Sequence, residues 1–274
     1  MGHLSGGDRW CSVSRADRVM SMASIATTDA FGLIDKTILV TGASSGIGAA
    51  VATLCARLGA TVVLNGRDMQ RLEDVAADLA GSGHSVIAGD LTDEQTRVRL
   101  LGASERYHGV ASCAGVAALV PFRMAAEKHL QHMLSVNYLA PITLTQQLLF
   151  KRRLAEGASL VYVSALSARA APQAAAGYAA SKAALEAAVR TLALEQAKHG
   201  IRANCIAPGY VDTPMLKKLG VAADMDDKIG LTPLGRIDPS DVANGVAYLL
   251  SAASRWITRS TLTIDGGISL PIRL

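Results

Sequence analysis

Aromatic residues are scarce in this chain: 3 Phe, 2 Trp and 6 Tyr make up 4% of its 274 residues. Proteins that stack single-stranded nucleic acid need such rings, so the composition argues against that class of partner. A strong excess of one charge is also lacking. The net charge is +4 and the basic residues are scattered rather than gathered in a stripe, so no nucleic-acid partner is expected. The four cysteines, Cys11, Cys55, Cys113 and Cys205, form no CxxC pair. They read as free thiols of a reducing compartment, and no metal is expected. His129 and His132 lie one helical turn apart with no third ligand nearby, which favours surface or structural roles. No apolar run is long enough to span a bilayer, and no membrane partner is expected. The segment from Met1 to about Phe31 carries Asp8, Arg9, Arg15, Asp17 and Arg18, which deny it the apolar core of a signal peptide. Residues 1–32 read as a flexible extension, or as the result of a start codon upstream of Met20 or Met22, and a cytoplasmic location is expected.

What the chain has in quantity is small and aliphatic residues: half of it is apolar and only 18% is charged. That composition supports a substantial core in which helices pack closely on a sheet. From Lys36 onward, short β-branched runs alternate with helical stretches. Strands are expected at Thr37–Thr41, Thr61–Leu64, Ser85–Ala88, Gly109–Ser112, Leu160–Val163, Arg202–Ile206 and Thr261–Ile264. Helices are expected at Ile47–Leu58, Asp68–Leu79, Ala125–Leu154, Ala179–His199 and Asp238–Leu250. The alternation predicts an α/β fold: one doubly wound parallel sheet, a Rossmann domain spanning residues 33–274 without an internal linker.

Two motifs carry chemistry. Directly after the first strand runs Thr41-Gly42-Ala43-Ser44-Ser45-Gly46-Ile47-Gly48. Glycines there permit a tight turn and a close approach of backbone to a pyrophosphate, while the following helix directs unpaired N–H groups at the phosphates. A structural turn is the bland alternative, weakened by the placement between strand and helix. The second motif is Tyr178-Ala-Ala-Ser181-Lys182, whose Tyr and Lys share one helix face. A tyrosine with a pKa of about 10 is a poor acid or base near neutrality, and a neighbouring ammonium brings it into a useful range. At the end of the second strand, Asn65-Gly66-Arg67 puts glycine where an acid would accept the ribose 2′-hydroxyl of NAD, and an arginine beside it. That pattern favours NADP(H) over NAD(H), unless Arg67 is only a surface turn residue.

The TGxxxGxG spacing together with YxxxK resembles the short-chain dehydrogenase/reductase family, in a 3-oxoacyl-reductase-like form, over nearly all of the chain beyond residue 33. The resemblance implies cofactor contacts from Gly42, Ser44, Ser45, Gly46, Ile47, Gly48 and Arg67. It adds Asp90 and Leu91 as the adenine-contacting turn, and Cys113, Ala114 and Gly115 as the Asn-Ala-Gly segment with cysteine in place of asparagine. Pro208, Gly209, Val211 and Thr213 match the nicotinamide-carboxamide segment, and Asp265-Gly266-Gly267 the C-terminal signature. It implies that Tyr178 is the general acid/base, that Lys182 also binds the nicotinamide ribose, and that Asn137 holds a proton-relay water.

The substrate-orienting serine of the family would fall thirteen residues before Tyr178, where this chain has Ala165. Ser164 is the candidate to replace it, with Ser167 two residues late. Three accounts stay open: Ser164 acts through a local shift, the enzyme works without the serine, or Ala165 is a knock-down. Met215, Leu216, Leu219 and Met225 offer an apolar lid, and Lys217 and Lys218 an attraction for anionic substrates or merely a solvated face. The expected function is hydride transfer between NADP(H) and a carbonyl or secondary alcohol, in a homo-oligomer, most simply a tetramer. A catalytically impaired regulatory or scaffold protein of the same fold is the alternative. A nucleotide-sugar epimerase or dehydratase would require a larger C-terminal region.

Overall fold

The computed structural model describes residues 29–219, 230 and 232–269. The expected N-terminal extension, through residue 28, lies outside the described residues, as do Met225 and residues 270–272. Seven parallel strands form one sheet in the order β3-β2-β1-β4-β5-β6-β7. They are β1 (Thr37–Thr41), β2 (Thr61–Gly66), β3 (Ser85–Ala88), β4 (Tyr107–Ser112), β5 (Leu154–Val163), β6 (Arg202–Pro208) and β7 (Thr261–Ile264). The chain winds outward from β1 to β3, then returns to the other side of β1 with β4. That reversal leaves a crevice beyond the carboxyl ends of β1 and β4, where open α/β sheets bind ligands.

The strands are apolar on both sides because both sides are covered. Ile38, Val40, Val62, Leu64 and Val161 face one core, shared with Val51 of α1 (Gly46–Arg57) and Val242 and Val246 of α9 (Pro239–Leu250). The alternate residues Leu39, Val63, Leu160 and Tyr162 face the other core. There they meet Leu144 and Leu148 of α5 (Ala140–Phe150) and Leu185 and Val189 of α7 (Ala176–Gln196).

The fold is the single doubly wound domain that the alternation predicts, with local differences. The stretch expected as one helix from Ala125 to Leu154 is α4 (Glu127–Leu134), a π turn (Ser135–Leu139) and α5. Pro141 has no N–H to give the carbonyl of residue 137, so the ladder shifts and Ala140 N–H donates to the Ser135 carbonyl instead. Leu154 already belongs to β5, which is longer than expected. Helices α2 (Met69–Ala77) and α3 (Glu94–Gly102) follow β2 and β3, and α3 was not foreseen. Short α6 (Ser167–Ala170) and α8 (Pro214–Lys218) stand at the carboxyl ends of β5 and β6.

Candidate active site

The glycine turn is shaped by contacts that side chains would prevent. Gly42 has φ +69°, and a Cβ there would lie 2.7 Å from the Ala114 amide nitrogen. The turn after β1 and the Cys113-Ala114-Gly115 segment after β4 therefore touch, and Ala114 N–H donates to Thr41 Oγ1 at 3.2 Å. A Cβ at Gly48 would run into the Gly42 carbonyl. A Cβ at Gly46 would stand 3.1 Å from Thr213 Cγ2, so the turn also meets the segment after β6. Asp68, Asp93 and Asp238 cap α2, α3 and α9 with their carboxylates. By contrast, Ser45 makes no side-chain cap on α1, and no acid lies in the first turn of that helix. The first amides of α1, around Gly46, Ile47 and Gly48, are thus free for an external acceptor, and the cradle fits a pyrophosphate.

At the end of β2, a Cβ on Gly66 would stand 3.2 Å from Ser44 Oγ and 3.3 Å from Leu72 Cδ2. Asn65 turns its amide inward, donating to the Ile87 carbonyl at 3.0 Å, while Arg67 is exposed. Asp90 accepts from the Thr92 amide at 2.8 Å and hydroxyl at 2.7 Å. Desolvation raises its carboxyl, but those bonds and the nearby charges of Arg67 and His132 outweigh it, and the net shift is downward. Leu91 is buried beside it.

Tyr178 and Lys182 lie on α7, which begins three residues earlier than expected. Lys182 is 4% exposed, its Nζ donates to the Val163 carbonyl at 2.8 Å, and it stands 5.9 Å from the Tyr178 ring centroid. Burial lowers its ammonium to about 8, against the opposing influence of Cys113 and Cys205. The same burial pushes the Tyr178 phenol up to about 12. Here desolvation outweighs the effect expected of the ammonium. The phenol stays protonated, the form that gives a proton to a carbonyl oxygen. Cys113, likewise desolvated, is raised to about 12.

Asn137 is buried in the π turn. Its Oδ1 accepts from Val116 N–H at 2.8 Å, and its Nδ2 donates to the Val116 carbonyl at 2.9 Å and to Ser181 Oγ at 3.0 Å. Gly115 is what lets these groups converge: a Cβ there would lie 3.1 Å from Asn137 Oδ1 and 3.4 Å from Lys182 Nζ.

Ser164 goes elsewhere. Its hydroxyl donates to Glu186 Oε1 at 2.9 Å, and Glu186 Oε2 accepts from Arg169 at 3.3 Å. Glu186 is eight residues beyond Tyr178 on the same helix, ~12 Å along the axis, so this hydroxyl is committed to a carboxylate whose backbone lies two turns from that of the tyrosine. The expectation that Ser164 stands in for the family serine is therefore not met by its hydrogen bonding. Ala165 is buried.

Beyond β6, the Pro208 carbonyl accepts from Leu166 N–H at 2.9 Å, and Gly209 N–H donates to the Ile264 carbonyl at 2.9 Å. Val211 is buried, and Thr213 Oγ1 caps α8 by accepting from Leu216 N–H at 3.3 Å. Lys217 does not offer a bare charge to an anion: it pairs with Asp212 at 3.1 Å, which also takes Arg236 at 2.8 Å. Glu186, Arg169 and Asp212 were missed in the sequence. Only the spacing of Glu186, one turn after Lys182, signalled its shared face.

A parallel sheet with an uncapped glycine-turn helix at its switch point, and a Tyr–Lys pair on the helix between β5 and β6, defines a dinucleotide-type oxidoreductase fold. A family model described as Enoyl-(Acyl carrier protein) reductase matches residues 42–269. Human dehydrogenase/reductase SDR family member 4 is 31% identical over 265 residues, covering 93% of this chain and 95% of that protein. The (3R)-3-hydroxyacyl-CoA dehydrogenase of Canis lupus familiaris is 32% identical over 247 residues, 84% of this chain and 95% of the relative. Among solved structures, the short-chain dehydrogenase/reductase SDR:Glucose/ribitol dehydrogenase of Brucella melitensis superposes with a TM-score of 0.81 at 30% identity. That match covers 88% of this chain and 99% of the other. A dehydrogenase/reductase of Sinorhizobium meliloti gives 0.80 at 28% identity, covering 88% and 98%. The chain belongs to the short-chain dehydrogenase/reductase family of oxidoreductases.

Proposed function

We propose that this protein is an NADP(H)-dependent reductase of ketones or aldehydes, or a dehydrogenase of the corresponding alcohols, working in the cytoplasm as a homo-oligomer. The observation that carries the reading is the buried Lys182, its ammonium held between the Val163 carbonyl and the Tyr178 ring. The nicotinamide, when bound, supplies or accepts the hydride. Tyr178 then gives the carbonyl oxygen its proton, or removes one from the alcohol. Lys182 holds the ribose hydroxyls and stabilises the phenolate left behind, and Asn137 holds a relay water. Gly42, Ser44, Ser45, Gly46, Ile47 and Gly48 cradle the pyrophosphate, Arg67 meets the 2′-phosphate, and Asp90 and Leu91 flank the adenine. Cys113, Ala114, Gly115, Pro208, Gly209, Val211 and Thr213 line the nicotinamide end.

The test is oxidation of NADPH by the purified protein against a broad panel of carbonyls, with NADH in parallel. Turnover with NADPH is expected, and its absence across the panel would overturn the reading. The commitment of Ser164 to Glu186, with Ala165 beside it, favours the second reading, a cofactor-binding protein with impaired turnover. The same panel separates the two.

A further inference from the structure

We infer, on the basis of the cofactor reading just proposed, that Arg97 and Arg99 are positioning residues: they hold the turn after β3 in the shape that tells adenine from other purines. Both lie on α3 and reach back to the turn that precedes it. Arg97 donates through Nη1 to the Leu91 carbonyl at 2.8 Å and to the Thr92 carbonyl at 2.8 Å. Arg99 donates through Nη2 to the Ala88 carbonyl at 2.8 Å. One guanidinium therefore fixes the end of the turn and the other its start. A Cβ on Gly89 would run into Thr96 Oγ1, so the turn sits directly on the helix that carries both arginines.

These bonds complete a pattern in the main chain. Asn65 Nδ2 donates to the Ile87 carbonyl at 3.0 Å and to the Gly89 carbonyl at 3.4 Å, and Asp93 N–H donates to the Asp90 carbonyl at 3.1 Å. Every carbonyl from Ile87 to Thr92 is thus turned onto a donor of the protein itself. The arginines supply that donor at Ala88, Leu91 and Thr92. Among the described residues, the turn leaves to an outside partner the N–H groups of Asp90 and Leu91 and one carboxylate oxygen, Asp90 Oδ2, since Thr92 occupies Oδ1. A donor and an acceptor side by side match the N1 acceptor and the N6 amino group of adenine. Hypoxanthine reverses both: it sets a carbonyl against the carboxylate and a ring N–H against the main-chain N–H. A site built to hydrogen-bond one pattern rejects the reversed one through the groups it leaves unpaired. The discrimination depends on the carboxylate and the amide keeping their relative placement, and the two arginines are what pin the chain on either side of them. Arg97 Nε is buried without a partner, a cost to stability that the contacts at Leu91 and Thr92 have to offset.

The experiment is a fluorescence titration with NADPH and with its hypoxanthine analogue, which keeps the 2′-phosphate, the pyrophosphate and the dihydronicotinamide. The readout is the ratio of the two dissociation constants, so a change in overall charge or in fold stability cancels. The native protein should favour NADPH by about tenfold or more, the effect of one bond to a charged group. Arg97→Met and Arg99→Met should each lower that ratio to about threefold or less, because the Asp90 carboxylate is no longer held in place. Arg97→Lys, which keeps a donor for the two carbonyls, should retain about half of the native ratio or more. A native protein that binds both dinucleotides equally would overturn the inference. So would an undiminished ratio in either methionine variant, or an Arg97→Lys protein that discriminates no better than Arg97→Met. If one methionine variant does not fold, the other decides. If the native protein binds neither dinucleotide, the cofactor reading itself fails, which is a different result.

Discussion

Lys182 Nζ lies 2.8 Å from the Val163 carbonyl oxygen, so the ammonium is anchored by the strand against which its helix packs. The anchor does not repay what burial costs a charge. The fall from an ordinary 10.5 to about 8 corresponds to roughly 3 kcal/mol of lost stability, present in full below pH 8. The unfolded chain holds the proton more tightly than the folded one, so the loss fades as pH rises from 8 toward 10.5. Lys182→Met should stabilise the cofactor-free protein at pH 7 by about 2 kcal/mol, allowing ~1 kcal/mol for the carbonyl left without a donor. The gain should vanish near pH 10 and give way to a small loss at pH 10.5, where only the unpaired carbonyl counts. Urea denaturation of both proteins at the two pH values checks this, and an equally stable or less stable variant at pH 7 would contradict it.

Tyr178→Phe removes one hydroxyl and little volume. No hydrogen bond of that hydroxyl holds the described fold together, since Ser181 bonds to the main-chain carbonyl of Tyr178. Carbonyl reduction should fall by about 10³ or more, while the dissociation constant for NADPH changes less than about threefold. Steady-state kinetics alongside a fluorescence titration give both numbers. Near-normal turnover would remove Tyr178 from the chemistry.

The fold was legible in the sequence because both cores announce themselves through strands apolar on every residue, such as Ile38, Leu39 and Val40. The helix ends depended on subtler signals. Pro141, which breaks the regular ladder ahead of α5, was readable but outweighed by the apolar run around it, whereas Asp93 caps a short polar helix, α3, that buries only Thr96 and Leu100 and so shows no apolar stripe. The glycines of the cofactor turn could be found by spacing, and the structure adds the neighbours that require them: the Ala114 amide for Gly42 and the Gly42 carbonyl for Gly48. The Ser164–Glu186–Arg169 cluster was beyond reach. It forms only when α7 docks on the end of β5, and a buried glutamate on an Ala-rich helix reads as a surface residue until then.

Phe150 is 74% exposed at the end of α5, and Leu194 is 69% exposed on α7. The groove between those helices is lined by Ile142, Leu149, Phe150 and Leu192. An apolar face of this kind is costly to leave in water, and a second copy of the chain is the simplest cover. The native protein should run as a tetramer in light scattering at micromolar concentration. Phe150→Asp combined with Leu194→Asp should shift it to smaller species. A native monomer would refute the assignment, as would a double variant of unchanged mass.

Cofactor choice rests on the carboxyl end of β2. Gly66 contributes no carboxylate, the Asp68 carboxylate is taken up by the Arg71 amide and guanidinium, and the charge of the exposed Arg67 reaches the carboxylate of Asp90. A 2′-phosphate approaching this edge meets a guanidinium and no repelling acid on its own strand, whereas a bare 2′-hydroxyl finds no acceptor there. NADPH should therefore bind at least tenfold more tightly than NADH, the free energy of one charge-assisted bond. Arg67→Ala should erase most of that difference by weakening NADPH alone. Gly66→Asp should reverse it, at some cost in affinity for both cofactors, because a Cβ at 66 stands only 3.2 Å from Ser44 Oγ and the neighbours must give way. The three proteins titrated with both cofactors at two salt concentrations complete the test. The NADPH preference should shrink as salt screens the guanidinium, and more in the native protein than in Arg67→Ala. Equal affinities in the native protein, or a preference that survives Arg67→Ala, would place phosphate recognition elsewhere.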